Sequence, residues 1–267
     1  MDETTRAGWG LRLWAILVAV LLVAPLLVVV PISFAEKRSF KFPPDGLSVD
    51  WYVNLFTDQR WTSAIGTSIL VGVLVTLICT VLGTAAALGI HRLGGRVAAL
   101  ATGVLVAPMI VPGIVSAVAI YSVYLRWQLT GNLLGFLLAH TVLAIPFVIV
   151  TVTSSLSTTD PMLERAAASL GAGPWRTFVR VTLPAIAPGV GAGALFAFVT
   201  SFDEVVAASF LQSPAIRTLP IEMFVSVTNE VDPTIAAVST VILALTTAIV
   251  LLPAFTRRRS SQKASSS

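Results

Sequence analysis

Six long stretches without a single aspartate, glutamate, lysine or arginine restrict the fold of this chain more than any other feature. They cover residues 13–35, 61–90, 97–125, 127–159, 181–202 and 233–256. A membrane-spanning helix needs roughly 20 apolar residues, and each stretch is long enough. A soluble core of this length would show alternating or amphipathic patterns, which these stretches lack. The sequence therefore predicts an all-α membrane protein with six transmembrane helices.

Turn signals and charges set the limits of the predicted spans at approximately 11–33, 62–90, 97–124, 133–156, 186–210 and 234–255. The fourth span begins near residue 133 because Thr130, Gly131 and Asn132 form a turn signal. The first stretch is about twice as long as a signal-peptide core of roughly 7–15 residues, so we expect it to be retained as a span. A single transmembrane domain is expected to cover residues 1–267.

Prolines and small residues interrupt several of these spans. Pro108 and Pro112 lie in the third span and Pro146 in the fourth. Such prolines are tolerated where neighbouring helices or cavities satisfy the freed backbone groups, so they indicate either pathway-lining helices or plain kinks. Gly189 and Gly193 in the fifth span have the spacing that lets two helices approach closely.

The basic residues predict the orientation in the membrane. With a cytoplasmic N-terminus, eleven of the 17 lysines and arginines fall in cytoplasmic segments and six in outer ones. Because cytoplasmic loops carry the excess of basic residues, both termini are predicted to be cytoplasmic. The net charge of +4 then reflects topology and gives no indication of nucleic-acid binding.

Residues 160–184 form a polar segment between the fourth and fifth stretches. Asp160 and Pro161 suit the N-cap and first position of a helix, and Gly171 suits the position just after its end. Pro174 can begin a second helix, and Pro184 is expected to end it. A connection of this length with helices of its own is usually functional, although an ordinary connecting loop is the alternative.

This 160–184 segment resembles the EAA loop of binding-protein-dependent ABC importer permeases. The family pattern is Glu-Ala-Ala, three residues, Gly, nine residues, Ile, one residue, Leu-Pro. The matching residues here are Ala166, Ala167, Gly171, Val181 in place of isoleucine, Leu183 and Pro184. Arg165 stands at the glutamate position of the pattern, and a glutamate, Glu164, comes one residue earlier.

The resemblance implies a type I ABC importer permease fold and a set of partners. In this family the helix pair docks on a cytoplasmic ATPase, and the coupling residues would be Glu164, Arg165, Ala166, Ala167, Gly171, Leu183 and Pro184. The implied partners are a second permease, two ATPase subunits and an extracytoplasmic binding protein, in a bacterial inner membrane. The chain has no Gly-x-x-x-x-Gly-Lys-Ser/Thr phosphate loop, so ATP and Mg²⁺ are expected on the ATPases. We therefore expect a transport subunit without a cofactor, rather than an enzyme.

Two adjacent acids follow the fifth stretch. Counted from Pro188 at ~1.5 Å per residue, Asp203 lies about 22 Å into the predicted helix. Because a charge in the membrane costs roughly 2.5–3.5 kcal/mol, Asp203 and Glu204 need water, a partner cation or a substrate. The alternative to a substrate is a salt bridge from one of them to Arg217 or to the paired permease.

Most of the chain from Trp51 onward resembles the second membrane permease of spermidine/putrescine importers. The resemblance rests on Ser-Phe-Asp-Glu at 201–204, Ser-Phe-Leu at 209–211 and Thr-Leu-Pro at 218–220. It implies a small cationic substrate that acidic groups and aromatic rings would bind, with Phe202, Asp203 and Glu204 as candidate pathway residues.

Other functions stay open at this stage. An ion-coupled secondary carrier would use Asp203, Glu204 and His140, and an ABC permease could serve another small solute, such as an amino-acid-like compound, a phosphonate or a metal ion. His140 in the fourth span suits a proton relay or a hydrogen-bonded packing role. No residues show metal-ligand spacing, and no nucleophile and base pair indicates catalysis.

Overall fold

The computed structural model describes residues 9–229 and 231–248. Within them the pairings of strand type are two isolated bridges, Ala35–Leu47 and Ser213–Ile216, so the all-α prediction is confirmed for this part of the chain. The helices are α1 (Trp9–Ile32), α2 (Asp50–Thr57), α3 (Gln59–Leu93), α4 (Gly95–Val106), α5 (Gly113–Trp127), α6 (Leu133–Ser157), α7 (Pro161–Ser169), α8 (Pro174–Thr177), α9 (Leu183–Phe202), α10 (Val206–Leu211), α11 (Leu219–Asn229) and α12 (Thr234–Ala248).

Four helices are long and apolar enough to cross a membrane: α1, α3, α6 and the continuous helix Pro174–Phe202 that contains α9. Gly95–Met109 and Gly113–Trp127 form a bent pair, and the number of possible spans rises to five if this pair is counted as one span. α12 is a shorter apolar helix. The predicted end of the sixth span at residue 255 and the two predicted cytoplasmic termini lie outside the described residues, so the count of six spans stays a prediction.

The third predicted span, residues 97–124, is broken in the middle, where the sequence places Pro108 and Pro112. The Gly95–Met109 and Gly113–Trp127 parts meet at an angle of 95°. Pro112 occupies the N-cap of α5 with an extended ψ of 131°, and a proline also biases the residue before it away from helical geometry. Pro108 lies in a 3₁₀ turn, Ala107–Met109, just before the bend. The two prolines therefore break the span rather than kink it slightly.

The fifth predicted span, residues 186–210, is also interrupted, and the helix before it does not end at Pro184 as expected. α9 ends at Phe202, and the short α10 begins after a break. At the other end Pro184 does not stop the preceding helix, since Pro174–Phe202 runs on continuously. A π-helical turn, Phe178–Thr182, precedes α9, and the Leu183 N–H bonds the Phe178 carbonyl five residues back. A wider turn of this kind accommodates a proline that lacks an N–H.

The chain divides into two compact units, Met1–Thr62 with Met223–Ser267, and Ser63–Glu222. In the first unit α1 buries none of its residues. The connection after α1 is folded on itself, because Tyr52 and Ser33 share a hydrogen bond of 2.7 Å between hydroxyl oxygens and the Trp51 indole N–H donates to the Ala35 carbonyl. On α2 Trp51 and Leu55 are buried, whereas the neighbouring Val53 is exposed.

The second unit has its core where α3, α6 and α9 meet. The core residues are Val71, Val75, Cys79, Ala87, Ala144, Val148, Val152, Leu156, Ile186 and Ala197. A Cβ added at Gly193 would lie 2.5 Å from Thr151 Oγ1 and 2.9 Å from Val148 Cα, and one added at Gly189 would lie 2.8 Å from the Thr151 carbonyl oxygen. The two glycines therefore allow α6 and α9 to touch at backbone distance, as their spacing indicates.

Candidate functional site

The 160–184 segment begins with a helix that is capped at its N-terminus by its own side chain. Asp160 takes the N-cap position with extended backbone, and its Oδ1 accepts a hydrogen bond of 2.8 Å from the Met162 N–H. Pro161 follows at the first helical position, where a missing N–H costs nothing. The beginning of α7 is thus where the sequence predicts it.

A glycine in the left-handed region ends α7. Gly171 has φ of +79°, and its N–H donates to the Ala168 carbonyl at 2.9 Å. The Ala172 N–H donates to the Ala167 carbonyl at 3.0 Å. These two bonds form the Schellman arrangement, which satisfies the last carbonyls of the helix and favours glycine because a side chain is strained at this φ. Nothing lies within 4 Å of an added Cβ, so the constraint is conformational rather than steric.

Large apolar side chains of this segment face outward. Leu170 is 88% exposed and Trp175 is 75% exposed, and Leu163 is exposed as well. Ala166 is also exposed, whereas Ala167 is half-buried. Leu163, Leu170 and Trp175 therefore form an exposed apolar face of the 160–184 segment, which the described chain leaves largely uncovered.

Basic side chains lie beside this apolar face. Arg165, Arg176 and Arg180 are all exposed. Trp175 contacts the ring of Phe178 at a centroid distance of 5.7 Å, which holds the indole in place despite its exposure. The segment thus presents a mixed apolar and positive surface of the kind that an acidic protein partner can cover.

Glu164 and Arg165, the two residues around the family's glutamate position, behave differently. The Glu164 carboxylate turns back onto its own chain, where its Oε1 accepts a hydrogen bond of 2.6 Å from Thr182 Oγ1. Arg165 is exposed, and none of the ion pairs among the described residues includes it. The acid next to the family position therefore has a partner within the chain, and a cation stands on the surface.

The Leu183–Pro184 pair lies at the base of α9. Leu183 is half-buried and packs against the core of the second unit, whereas Pro184 is exposed. The leucine thus anchors the end of the 160–184 segment in the core, and the proline accompanies the π-helical turn described above.

The predicted pathway residues follow one another at the other end of α9. Phe202 is the last residue of the helix and stacks on Phe198 with ring centroids 5.6 Å apart. Asp203 is exposed, and its carboxylate has no partner within the described chain. The Glu204 Oε1 accepts a hydrogen bond of 2.8 Å from the Ala207 N–H and so caps the short α10. The Asp203 carboxylate is therefore available to bind a cation, whereas the Glu204 carboxylate already accepts a backbone hydrogen bond.

Arg217 pairs with a third acid that the sequence patterns did not single out. Its Nη1 lies 2.9 Å from Glu222 Oε2, so Arg217 pairs with this acid and not with Asp203 or Glu204, one of the two alternatives to a substrate considered above. The Glu222 side chain is 3% exposed and that of Arg217 is 37% exposed. Glu222 lies in the first turn of α11, and the Leu219 N–H that begins this helix donates to Ser68 Oγ at 2.7 Å. The sequence signal that could have indicated Glu222 is an acidic residue in the first turn of a helix that begins at Thr-Leu-Pro.

His140 links α6 to the end of α9. It is buried, and its Nδ1 lies 3.0 Å from Ser201 Oγ and 3.1 Å from the Ser201 carbonyl oxygen. The Nε2 atom has no partner within the described chain. This geometry favours the packing role over the proton relay. Among the residues that the structure describes, no group of three or more potential metal ligands could hold an ion.

The fold is that of a helical membrane protein in which a segment with exposed apolar side chains lies between two long apolar helices. Residues 79–261 match the family described as binding-protein-dependent transport system inner membrane component. The chain belongs to this family. It is the permease subunit of an ABC importer, and it resides in the inner membrane.

Three similar proteins place the chain more narrowly. It is 32% identical to the putrescine transport system permease protein PotI of Escherichia coli K12, over 86% of this chain and 85% of that one. It is 30% identical to the spermidine/putrescine transport system permease protein PotC of Haemophilus influenzae, over 89% and 92% of the two chains. A solved structure of a bacterial ABC transporter involved in the import of alginate is similar in fold, with a TM-score of 0.68, 14% identity and coverage of 95% and 99%. None of these comparisons supports an ion-coupled carrier.

Proposed function

We propose that the chain forms, together with a second permease, the translocation pathway of an importer for polyamines such as putrescine or spermidine. Two ATPase subunits supply the energy by docking on the 160–184 segment, and an extracytoplasmic binding protein delivers the solute. In this arrangement six helices span the membrane, both termini are cytoplasmic, and ATP and Mg²⁺ are bound by the ATPases.

The observation that carries the ATPase contact is the uncovered apolar face of the 160–184 segment. A side chain as large as Trp175 stays 75% exposed although the segment is held by caps at both ends of α7. Exposed apolar groups rimmed by charges mark protein interaction sites. The bias of basic residues favours the cytoplasmic side for this segment, where an ATPase can reach it.

The names of the relatives and the chemistry of the 202–222 segment both support a polyamine as the solute. The two relatives described above are named for putrescine and for spermidine/putrescine. Asp203 is an exposed carboxylate without a partner in the described chain, and it follows Phe202 directly. A carboxylate and an aromatic face are the groups that bind a protonated amine.

Uptake by cells that carry the whole importer tests the solute. We expect saturable uptake of radiolabelled putrescine or spermidine that disappears when this permease is deleted and returns when it is restored. Unlabelled polyamines should compete, and amino acids and phosphonates should not. Equal uptake in deleted and restored cells would exclude polyamines as the solute.

Cysteine cross-linking tests the docking surface. The chain has one cysteine, Cys79, which is buried, so a substitution at Leu170 gives a signal against a low background. We expect the Leu170→Cys variant to form a cross-link with the ATPase in the assembled transporter. Leu77→Cys, at an exposed position within the apolar span α3, serves as the control and should form none.

A further inference from the structure

Glu164 makes its strongest contact with its own chain, although it lies in the segment that faces the ATPase. Its Oε1 accepts a hydrogen bond of 2.6 Å from Thr182 Oγ1, which is at the short end of the range for hydroxyl donors. Thr182 is 3% exposed, so water competes little for its hydroxyl group. A bond of this kind keeps the two side chains together while the surroundings move.

The bond lies where α7 packs against the π-helical turn, and along the chain these two elements are linked through a turn and a short helix. Glu164 lies in the first turn of α7, and Thr182 is the last residue of the π-helical turn, immediately before α9. The chain between them passes through the glycine turn at Gly171 and the short α8. Without the side-chain bond, only this packing and the turn at Gly171 would carry a displacement of α7 to the base of α9.

The π-helical turn supports the partner of Glu164 from the other side. Leu183, the next residue, packs against the core of the second unit, so the base of α9 is fixed there. The Leu183 N–H bonds the Phe178 carbonyl, and Pro184 follows without an N–H of its own. The Thr182 hydroxyl is therefore held on the end of the spanning helix that faces α7. π turns of this type are frequent at functional sites.

We infer that Glu164 is a positioning residue that ties α7 to the base of α9 through Thr182, so that movement of the docked ATPase becomes movement of a spanning helix. This inference rests on the proposed ATPase contact. In this role the carboxylate acts on its own chain, and the ATPase meets the exposed Arg165 and the apolar face instead. The hydrogen-bond acceptor of Glu164 matters for transport, and its charge toward the partner does not.

A double-mutant cycle in the complete transporter tests this role. The variants are Glu164→Ala, Thr182→Val and the two combined, reconstituted in proteoliposomes with the loaded binding protein. We expect each single variant to lower the number of solutes moved per ATP by roughly fivefold, within the range that single side chains on a coupling route produce. The double variant should be no worse than either single one, because all three remove the same bond.

Conservative variants separate positioning from charge. Glu164→Gln keeps an acceptor oxygen and Thr182→Ser keeps the hydroxyl, so both should transport nearly as the unmodified protein does. Ser169→Ala is the matched control, because its hydroxyl bonds only the Arg165 carbonyl of the same helix. The inference is overturned if Glu164→Gln is as defective as Glu164→Ala while Thr182→Val transports normally, or if the effects of Glu164→Ala and Thr182→Val simply multiply.

Failure of this inference can be told apart from failure of the ATPase contact itself. The cross-link from Leu170→Cys to the ATPase should form with equal yield in the Glu164→Ala and Thr182→Val backgrounds, since docking is intact and only transmission is lost. Loss of the cross-link in these backgrounds would show that Glu164 shapes the docking surface and does not transmit movement. Absence of the cross-link in the otherwise unmodified protein would refute the proposed contact, whatever the cycle gives.

Discussion

The two ends of the helix Pro174–Phe202 handle their polar and apolar groups in opposite ways. At the Pro174 end the acidic and capping groups are satisfied within the chain, and large apolar side chains are left exposed. In the segment that follows the Phe202 end, a carboxylate is buried against Arg217 and another, Asp203, is left exposed. The first arrangement suits the proposed protein partner, and the second suits the proposed cationic solute. On this proposal the helix serves two kinds of binding because the chain leaves a different kind of group unsatisfied near each end.

Replacing Glu222 should give the largest effect on stability. Glu222→Ala removes the acceptor of a buried ion pair and leaves Arg217 to find water, which its partial exposure allows. We expect a loss of roughly 2 kcal/mol, less than the cost of stranding a fully buried charge. Heating with a thiol-reactive dye can measure this, because Cys79 is buried and reacts only when the core opens.

The matched variant for this measurement is Asp203→Asn, which changes an exposed acid on the same segment. It should leave the midpoint of unfolding where it is. An equal fall of the unfolding midpoint in both variants would mean that the buried Glu222 contributes no more to stability than the exposed Asp203. The contrast between the two ends would then be weaker.

The body of the helix that joins the two ends can be loosened at Gly193. Gly193→Ala puts a methyl group against Thr151 and the Val148 backbone, so α6 and α9 must separate or shift. Overpacking of this kind costs about 1–3 kcal/mol. In the same thermal assay Gly191→Ala is the control, because an added Cβ there meets nothing within 4 Å. A midpoint that falls equally in both variants would contradict the close contact of the two helices.

A smaller and local effect is expected from Gly171 at the Pro174 end. Gly171→Ala forces a side chain into the left-handed region at a cost of about 1 kcal/mol. The cost should appear as faster amide hydrogen exchange in α7 and as weaker solute-stimulated ATPase activity, with little change in the overall unfolding midpoint. Gly173→Ala, also in open space but at a negative φ of −68°, should leave both quantities unchanged.

The smallest effect on stability, and a specific effect on uptake, should come from Asp203. Asp203→Asn is expected to change the free energy of unfolding by no more than about 0.5 kcal/mol, as exposed substitutions do. Polyamine uptake should nevertheless require a higher concentration for half-maximal rate, because the carboxylate is lost. Glu204→Gln keeps an acceptor for the Ala207 N–H and should affect uptake less. Unchanged uptake in Asp203→Asn would remove this residue from the pathway.

Local rules predicted the 160–184 segment well, because its caps depend on neighbouring residues. Asp160 and Gly171 do what their types and positions indicate. The continuation of the helix through Pro184 was not predictable in the same way, since it occurs together with a π-helical turn and with packing of Leu183 against the core, which local residue types do not indicate. The acidic partner of Arg217 depends on where α11 begins. At that start the Leu219 N–H bonds Ser68, which belongs to a helix distant in sequence.

The spans likewise have features that sequence predicts and features that it does not. Long uncharged stretches predicted where apolar helices occur, and α1, α3 and α6 lie close to the expected limits. The bend of 95° after Met109 could not be told from a mild kink by sequence, because a proline fixes φ but leaves the direction of the following helix to its neighbours. The paired prolines were the correct place to expect an irregularity.

The π-helical turn at Phe178–Thr182 has a consequence for how this gene can change over time. Deleting one residue from an α-helix rotates everything before it by about 100° relative to everything after it. A deletion here would turn α8 and α7 away from their present heading and bring the Pro184 ring against the carbonyl of the preceding turn. Most single substitutions in this stretch should therefore disturb the fold less than an insertion or a deletion does. The number of residues between Gly171 and Pro184 is therefore expected to be under stronger selection than their identity.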